Sequence, residues 1–204
     1  MSLQIPRSVQ RDLSLAGYWG AVVFVLAYCV VLLCAFLLQF ASSELPCVLC
    51  MLQRMAMIFT CMGPVYIISR TAHGEMSVTN FARGYGYTLI GAVIGMLMSL
   101  RQLTNRGAPL DPGYGSAVLG LHAYTWAFVS FAIVVLWSGV NMLFAVELSP
   151  PRQLPLSMVP KLVLGLFLAL IAANVMSVFF EVGFHWKLPH VPTRYELLYD
   201  LGIK

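Results

Sequence analysis

A pair of cysteines separated by two residues is the stretch of this chain best suited to chemistry. Cys47 and Cys50 follow Pro46, and a mostly apolar run continues beyond them. Because proline cannot extend a helix upstream but suits a position just before one begins, the pattern predicts a helix with both cysteines in its first turn. Unsatisfied N–H groups and the positive end of the helix dipole stabilise a thiolate there. A thiolate is the species that attacks disulfides, so the pattern predicts a redox-active pair.

The same spacing has two other interpretations. It occurs in half of a zinc site, and it can also be two buried apolar residues. A structural zinc site needs further soft ligands, and the sequence has no second pair of closely spaced cysteines at this spacing. The remaining cysteines, Cys29, Cys34 and Cys61, are predicted to be buried small apolar residues. Because the chain has five cysteines, at least one is unpaired, which argues against a disulfide scaffold.

The composition is that of a membrane protein. Of the 204 residues, 60% are hydrophobic and 10% are charged, whereas soluble domains carry about 25% charged residues. The net charge is +4, and no basic run suggests nucleic-acid binding. The first apolar run is too long for the core of a signal peptide, so it is expected to stay as a span. We therefore predict an all-α integral membrane protein.

Apolar runs of membrane-crossing length divide the chain. Four of them, at about residues 17–40, 47–69, 84–100 and 117–146, are predicted to form a transmembrane bundle. The predicted division is a cytoplasmic N-terminus at 1–16, a four-helix redox core at 17–146, a proline-rich linker at 147–160, a fifth transmembrane helix at 161–182 and a polar tail at 183–204.

Positive charges beside the first span predict its orientation. Arg7 and Arg11 precede it, whereas the loop 41–46 has no lysine or arginine. The positive-inside rule then places the N-terminus in the cytoplasm and Cys47 outside. The charges around the fifth span indicate no side, so the location of the tail stays open. Disulfides are exchanged outside the reducing cytosol, and the natural electron acceptor in the lipid phase is a quinone.

Three further side chains could bind such an acceptor. Arg54 is four residues beyond Cys50 on the same helix face, where its charge would favour an anion on Cys50 or on the acceptor. Alternatively, its side chain extends to the membrane interface. Arg101, at the outer end of the third span, could join the acceptor pocket or anchor the helix at the interface. His122 could donate to a quinone carbonyl or satisfy a loop carbonyl.

The segment Pro46-Cys47-Val48-Leu49-Cys50, followed by Gln53 and Arg54 at the outer end of a second span, resembles the disulfide bond formation protein B (DsbB) family. The resemblance covers about residues 17–146. It implies a four-helix core and an enzyme of the bacterial inner membrane. Such an enzyme reoxidises a periplasmic thiol oxidase of the thioredoxin-fold DsbA type and passes the electrons to ubiquinone or menaquinone.

Carried over by position, the resemblance also implies roles for three residues. Cys47 and Cys50 would be the quinone-linked pair, with Cys50 nearer the quinone, and Arg54 would match the arginine that polarises it. The chain departs from the family in its second outer loop, where family members usually have the cysteine pair that meets DsbA first. Here residues 101–121 contain no cysteine, and the tail has none either. The quinone half of the mechanism is therefore expected to carry over better than the DsbA half.

We therefore predict a membrane thiol–disulfide oxidoreductase that passes electrons from a periplasmic dithiol partner, either DsbA-like or dedicated, through Cys47 and Cys50 to a quinone. Two alternatives stay open. A quinone reductase similar to vitamin K epoxide reductase also joins such a cysteine pair to a quinone in a helical bundle. A non-catalytic membrane subunit or binding protein would keep the fold without turnover. Quinone reduction that requires both cysteines separates the enzymes from the last alternative.

Overall fold

The structure, a computed structural model, describes residues 6–41, 45–106, 117–185 and 194–203, with the side chains of 105 and 106 excepted. Parts of the predicted N-terminus, second outer loop and tail, namely 1–5, 107–116, 186–193 and 204, lie outside the described residues. The described helices are α1 (Arg7–Ala41), α2 (Val48–Ala72), α3 (Val78–Arg106), α4 (Ala123–Leu143), α5 (Ala145–Leu148), α6 (Met158–Val182) and α7 (Glu196–Asp200). Two short strands, β1 (Ala117–Val118) and β2 (Leu121–His122), form an antiparallel hairpin before α4.

Among the described helices, five are long and apolar enough to cross a membrane: α1, α2, α3 over Val78–Thr104, α4 and α6. Their outer surfaces carry exposed large apolar side chains, among them Leu37, Ile90, Ile133 and Leu168. Such a surface matches lipid, and the helices satisfy their own backbone hydrogen bonds there. The predicted fold class, an all-α multi-pass membrane bundle with a fifth membrane helix, is confirmed.

The helices α2 and α3 approach each other along a seam of small residues, which we call the glycine seam: Thr60, Gly63, Gly84, Thr88 and Gly91. Gly63 lies against the Gly84 carbonyl and the Thr88 side chain, and Gly91 lies against the backbone of Thr60. A Cβ atom added at Gly63 or Gly91 would overlap the opposite helix. Small residues therefore allow the close backbone approach that stabilises helix pairs in lipid.

Two boundaries differ from the sequence prediction. The span predicted at 117–146 is preceded by the hairpin, so α4 begins at Ala123. Leu119 (φ 54°) and Gly120 (φ 80°) form the turn of the hairpin, and their positive φ angles are incompatible with a helix. The fifth membrane helix begins at Met158 and holds Pro160 in its first turn, where proline needs no N–H partner. The division of the chain into five segments stays a prediction.

One end of the bundle brings together polar residues from several helices, and we call it the cysteine end, defined by Gln39, Cys47, Gln102 and Ser177. A hydrogen bond joins Gln39 of α1 to Ser177 of α6, and α7 packs on α6. The Tyr195 hydroxyl, just before α7, accepts a hydrogen bond from Gln39 Nε2 at 3.3 Å. The described part of the tail therefore lies at the same end as Cys47, which the sequence left open.

Candidate functional site

Cys47 caps the N-terminus of α2, and Cys50 occupies the third helical position. Cys47 has extended backbone angles (φ −68°, ψ 162°), and its Sγ accepts a hydrogen bond from the Cys50 N–H at 3.2 Å. The sulfur thus takes the place of the side-chain oxygen that usually caps a helix. Cys47 therefore lies one residue before the helix, and not inside its first turn as predicted. It still lies at the positive end of the helix dipole, which favours a thiolate.

A buried glutamine of α3, Gln102, contacts the cysteine pair, and a second buried glutamine, Gln53 of α2, contacts Gln102. Gln102 Nε2 lies 3.4 Å from Cys47 Sγ and 3.7 Å from Cys50 Sγ, and it donates to both. The Gln53 amide donates from Nε2 to Gln102 Oε1 at 2.9 Å. Both cysteines are free thiols in this structure. The amide of Gln102 is thus a polar group in contact with both sulfur atoms of the reduced pair.

The donors that converge on the Cys47 sulfur change its acidity. The hydrogen bond from the Cys50 side chain lowers the pKa of Cys47 below that of an ordinary thiol. The backbone N–H groups of Cys50 and Leu49 and the Gln102 amide act in the same direction, and they outweigh the opposing effect of burial. These contacts favour Cys47 as the site of the thiolate in the reduced pair.

Arg54 lies one turn beyond Cys50 on α2, and its guanidinium is turned toward α1. Nη1 donates to Gln39 Oε1 at 2.6 Å, and Nη2 donates to the Ala35 carbonyl at 3.0 Å. The guanidinium carbon also lies 5.1 Å from the centre of the Phe36 ring, a distance typical of a cation–π contact. The side chain is buried and held in one place rather than extended to the interface.

The fifth membrane helix contributes polar groups to the surroundings of Arg54. Gln39, which accepts from Arg54, donates from Nε2 to Ser177 Oγ at 3.0 Å and to the Tyr195 hydroxyl. Glu181, one turn further along α6 from Ser177, is fully buried, and neither carboxylate oxygen has a hydrogen-bond partner among the described residues. Glu181 lies within electrostatic range of Arg54, although no hydrogen bond or ion pair joins the two side chains among the described residues. A carboxyl group of opposite potential charge therefore lies close to the buried arginine.

A cavity of about 350 Å³ lies between α1, α2 and α4. Its size is within the range of small-molecule sites, and much of its lining is apolar, as in such sites. Its polar lining includes Gln39, Cys50 and Arg54, whereas Cys47 does not line it. The cavity therefore brings together one thiol of the pair and the buried arginine.

Two other residues predicted for the acceptor site lie outside this lining. Arg101 is exposed on α3. His122 is half-buried at the N-cap of α4, where its ring stacks on Tyr124 with 5.3 Å between ring centres. Tyr124 itself lines the cavity. The structure therefore brings Cys50 and Arg54 together, and the roles of Arg101 and His122 stay predictions.

The three remaining cysteines differ in environment. Cys29 and Cys61 are buried, in agreement with the prediction, but Cys34 is exposed and lines the cavity. The prediction was wrong for Cys34 because the gap between α1 and α4 leaves that face of α1 uncovered. It also missed the polar partners of the site, which are Gln39, Gln53, Gln102, Glu181 and Tyr195. Apart from Tyr195 they lie in or beside apolar runs, and a polar residue within a membrane span is a candidate site residue.

The fold and the site define a polytopic helical membrane protein with a dithiol at the end of its second span. The family model described as disulfide bond formation protein DsbB matches residues 18–114, which include the cysteine pair, Arg54 and Gln102. Residues 18–114 are just under half of the chain, and over this region the chain is similar to the DsbB family, which supports a membrane oxidoreductase of disulfide bond formation in general. Comparison with curated proteins and with solved structures gave no significant match.

Proposed function

We propose that the chain oxidises a dithiol partner outside the cytoplasm and passes the electrons through Cys47 and Cys50 to a membrane quinone. The observation that carries this proposal is the cavity, because the Cys50 thiol and the Arg54 guanidinium both line it. A quinone has an apolar ring with carbonyl oxygens, and it reaches a protein through the lipid. An apolar cavity with one arginine and one thiol in its wall fits both properties.

The residues that would hold the quinone are those of the cavity wall. A guanidinium has five N–H donors, and Arg54 uses one on Gln39 and one on Ala35. The remaining donors can bind a carbonyl oxygen and stabilise negative charge that develops on it. When bound, ubiquinone or menaquinone supplies a two-electron acceptor. Apolar side chains of α1 and α4, such as Val31 and Ala127, would exclude water from the thiol.

Thiol–disulfide exchange accounts for the first half of the reaction. A partner thiolate attacks Cys47 Sγ of the oxidised pair, the Cys47–Cys50 bond breaks, and its electron pair leaves on Cys50 Sγ. The second thiolate of the partner protein then attacks the partner's sulfur atom in the mixed disulfide. Cys47 leaves as a thiolate, and its lowered pKa makes it a good leaving group. The partner is now a disulfide, and the Cys47–Cys50 pair carries two more electrons.

Re-formation of the Cys47–Cys50 disulfide completes the cycle. Two electrons and the single proton of the Cys50 thiol leave the pair, and the position of Cys50 in the cavity wall provides the exit toward the acceptor. Cys47 supplies the thiolate that closes the bond to Cys50. The buried position of Arg54, held by Gln39 and Ala35, keeps its charge at the place where the electrons leave.

We further propose the bacterial inner membrane as the location, with the N-terminus cytoplasmic and the cysteine end facing the periplasm. Arg7 and Arg11 support this orientation. The partner would be a thioredoxin-fold thiol oxidase of DsbA type or a dedicated partner that needs no second cysteine pair. Residues 101–121 contain no cysteine that could receive its electrons first. A Cys50→Ala variant should trap this partner as a mixed disulfide with Cys47, which mass spectrometry would identify.

Quinone reduction by the purified protein tests the proposal. With a dithiol donor and ubiquinone or menaquinone analogues, the wild type should reduce quinone, measured by absorbance, while Cys47→Ala and Cys50→Ala should not. Cys61→Ala is the matched control, because Cys61 is buried on the same helix and does not line the cavity. Equal rates in all four proteins, above the uncatalysed reaction, would favour a non-catalytic role for the pair.

A further inference from the structure

We propose that the side-chain amide of Gln102 is a catalytic group of this site, which stabilises the reduced cysteine pair and is aimed at the two sulfur atoms by Gln53. The inference rests on the proposed role of Cys47 and Cys50 as the redox pair. It adds a residue of α3 that the sequence motif does not contain. Its consequence is a stronger oxidant, because a group that favours the reduced form raises the reduction potential.

The orientation of the Gln102 amide follows from its hydrogen bonds. An amide has a donor end and an acceptor end, and neighbouring groups decide which end faces which way. Gln53 Nε2 donates to Gln102 Oε1 at 2.9 Å, so the oxygen of Gln102 is engaged by α2. The NH2 group must then face the sulfurs, which lie 3.4 and 3.7 Å away.

Burial strengthens the contact between the Gln102 amide and the two sulfur atoms. Gln102 is 2% exposed and Gln53 is 4% exposed, so water does not compete for their amides. A hydrogen bond to a charged group is about twice as strong as one between neutral groups, and a low dielectric strengthens it further. The amide is therefore held where a thiolate would form.

The contact differs between the two redox states. Reduction adds two electrons, breaks the Cys47–Cys50 bond and, with one proton taken up, leaves a thiol on Cys50 and a thiolate on Cys47. A thiolate is a good acceptor, whereas a disulfide sulfur is neutral and accepts weakly. Gln102 therefore stabilises the reduced pair more than the disulfide, and the partner's dithiol gives up its electrons more readily.

A purely structural role would give a different result. Two glutamines that only join α2 to α3 would affect the stability of the bundle without changing the redox equilibrium of the cysteines. An equilibrium measurement on the thiols separates the two roles. It should use glutathione, because exchange with glutathione needs neither quinone nor partner protein.

The experiment equilibrates the full-length purified protein, freed of quinone, with mixtures of reduced and oxidised glutathione. The fraction of Cys47–Cys50 disulfide is read by alkylation and mass spectrometry of the peptide that carries both. Gln102→Met should lower the equilibrium constant for reduction about tenfold, which is about 30 mV for a two-electron couple. Gln53→Met should lower this equilibrium constant by a smaller factor, because the Gln102 amide keeps its N–H donor but is no longer held in its orientation by Gln53.

Ser99→Ala is the matched control. Ser99 is buried on α3 one turn before Gln102, and among the described residues its hydroxyl donates to the Gly95 carbonyl. This variant should keep the wild-type constant. A wild-type constant in Gln102→Met would overturn the inference. If Gln102→Met does not fold, Gln102→Asn tests the inference instead. The asparagine side chain is shorter, so it keeps the polar amide but moves the N–H donor away from the sulfur atoms.

The outcome is separable from the proposed function. A shifted glutathione constant in a protein that reduces no quinone would leave the Gln102 inference standing and refute the quinone proposal. Quinone reduction together with an unshifted glutathione constant in Gln102→Met would support the quinone proposal and refute the Gln102 inference.

Discussion

Arg54 Nη1 donates to Gln39 Oε1 at 2.6 Å, and Gln39 Nε2 in turn donates to Ser177 Oγ at 3.0 Å. These two hydrogen bonds connect the arginine beside the cysteine pair to α1 and to the fifth membrane helix. The fifth helix lies beyond residues 18–114, which the family model matches. The surroundings of Arg54 therefore include a part of the chain outside that match.

Replacement of Arg54 should slow quinone reduction strongly. A positioned donor that stabilises developing negative charge contributes about 3 kcal/mol, or about a hundredfold in rate. Arg54→Ala should lose about this factor in kcat/KM for quinone. Arg54→Lys keeps the charge but not the planar paired donors, so it should mainly raise KM. Arg83→Lys, an exposed change on α3 away from the cysteine end, is the control. Unchanged kinetics in Arg54→Ala, with the disulfide intact, would move the acceptor site elsewhere.

The lowered pKa of Cys47 predicts a pH dependence. Because the pKa is lower in the folded protein, the thiolate stabilises the reduced state fully above the pKa of an ordinary thiol, about 8.5. This stabilisation disappears as the pH falls through the lowered pKa. The rate of Cys47 alkylation by iodoacetamide should accordingly reach half its maximum below the pH typical of a free thiol. Cys50→Ala should shift that midpoint upward, because the Cys50 side chain is the main cause of the lowered pKa. A midpoint equal to that of the denatured protein would contradict the prediction.

Glu181 should stabilise the fold through its interaction with Arg54. Removal of one member of a buried charge pair leaves the other uncompensated, whereas removal of both relieves the cost. Glu181→Gln should lower the free energy of unfolding by about 1–3 kcal/mol, less than for a pair in direct contact. Adding Arg54→Met should restore part of the loss. Thermal unfolding in detergent would measure both effects.

Ser138→Ala is the control for Glu181, because Ser138 is also buried with its hydroxyl unpartnered among the described residues. Its removal should cost no stability. An unchanged midpoint in Glu181→Gln would show that the carboxyl carries no charge that Arg54 balances.

If the five membrane-length helices among the described residues each cross the membrane once, Val9 and Ile203 lie on opposite sides of it. In a background without the native cysteines, Val9→Cys and Ile203→Cys put single thiols on exposed positions. A membrane-impermeant maleimide should label Ile203→Cys in intact cells and Val9→Cys only after permeabilisation. Labelling of both in intact cells would remove one crossing, and the reversed result would overturn the proposed orientation.

The cysteine pair could be predicted from the sequence because its geometry is local. Pro46 and the apolar run after Cys47 fix the start of α2 to within one residue, and Arg54 follows at one helical turn. The hairpin before α4 could not be predicted in this way. Its residues are as apolar as a membrane span, and only the positive φ angles of Leu119 and Gly120 exclude a helix there.

The partners of the cysteine pair were not predictable for a different reason. Gln102 is 55 residues from Cys47 in the chain, and Ser177 is 138 residues from Gln39. Each lies among other polar residues of its helix, and the sequence does not tell which helix face meets which neighbour. Tertiary packing alone decides these contacts, so the structure was needed to find them.

The glycine seam also has a mechanical consequence for the redox chemistry. The helices α2 and α3 are in close contact at Gly91, which precedes Gln102 by eleven residues, or about 16 Å along the helix. If the angle between the two helix axes changed by about 4° about this contact, the Gln102 amide would move by about 1 Å. A movement of this size is enough to weaken a hydrogen bond to sulfur. Lipids of different chain length alter the tilt of membrane helices. We therefore expect bilayer thickness to change the reduction potential of the cysteine pair. Glutathione titrations in membranes of graded thickness should show a graded shift of the equilibrium constant. An equilibrium constant that does not change with thickness would disprove this expectation.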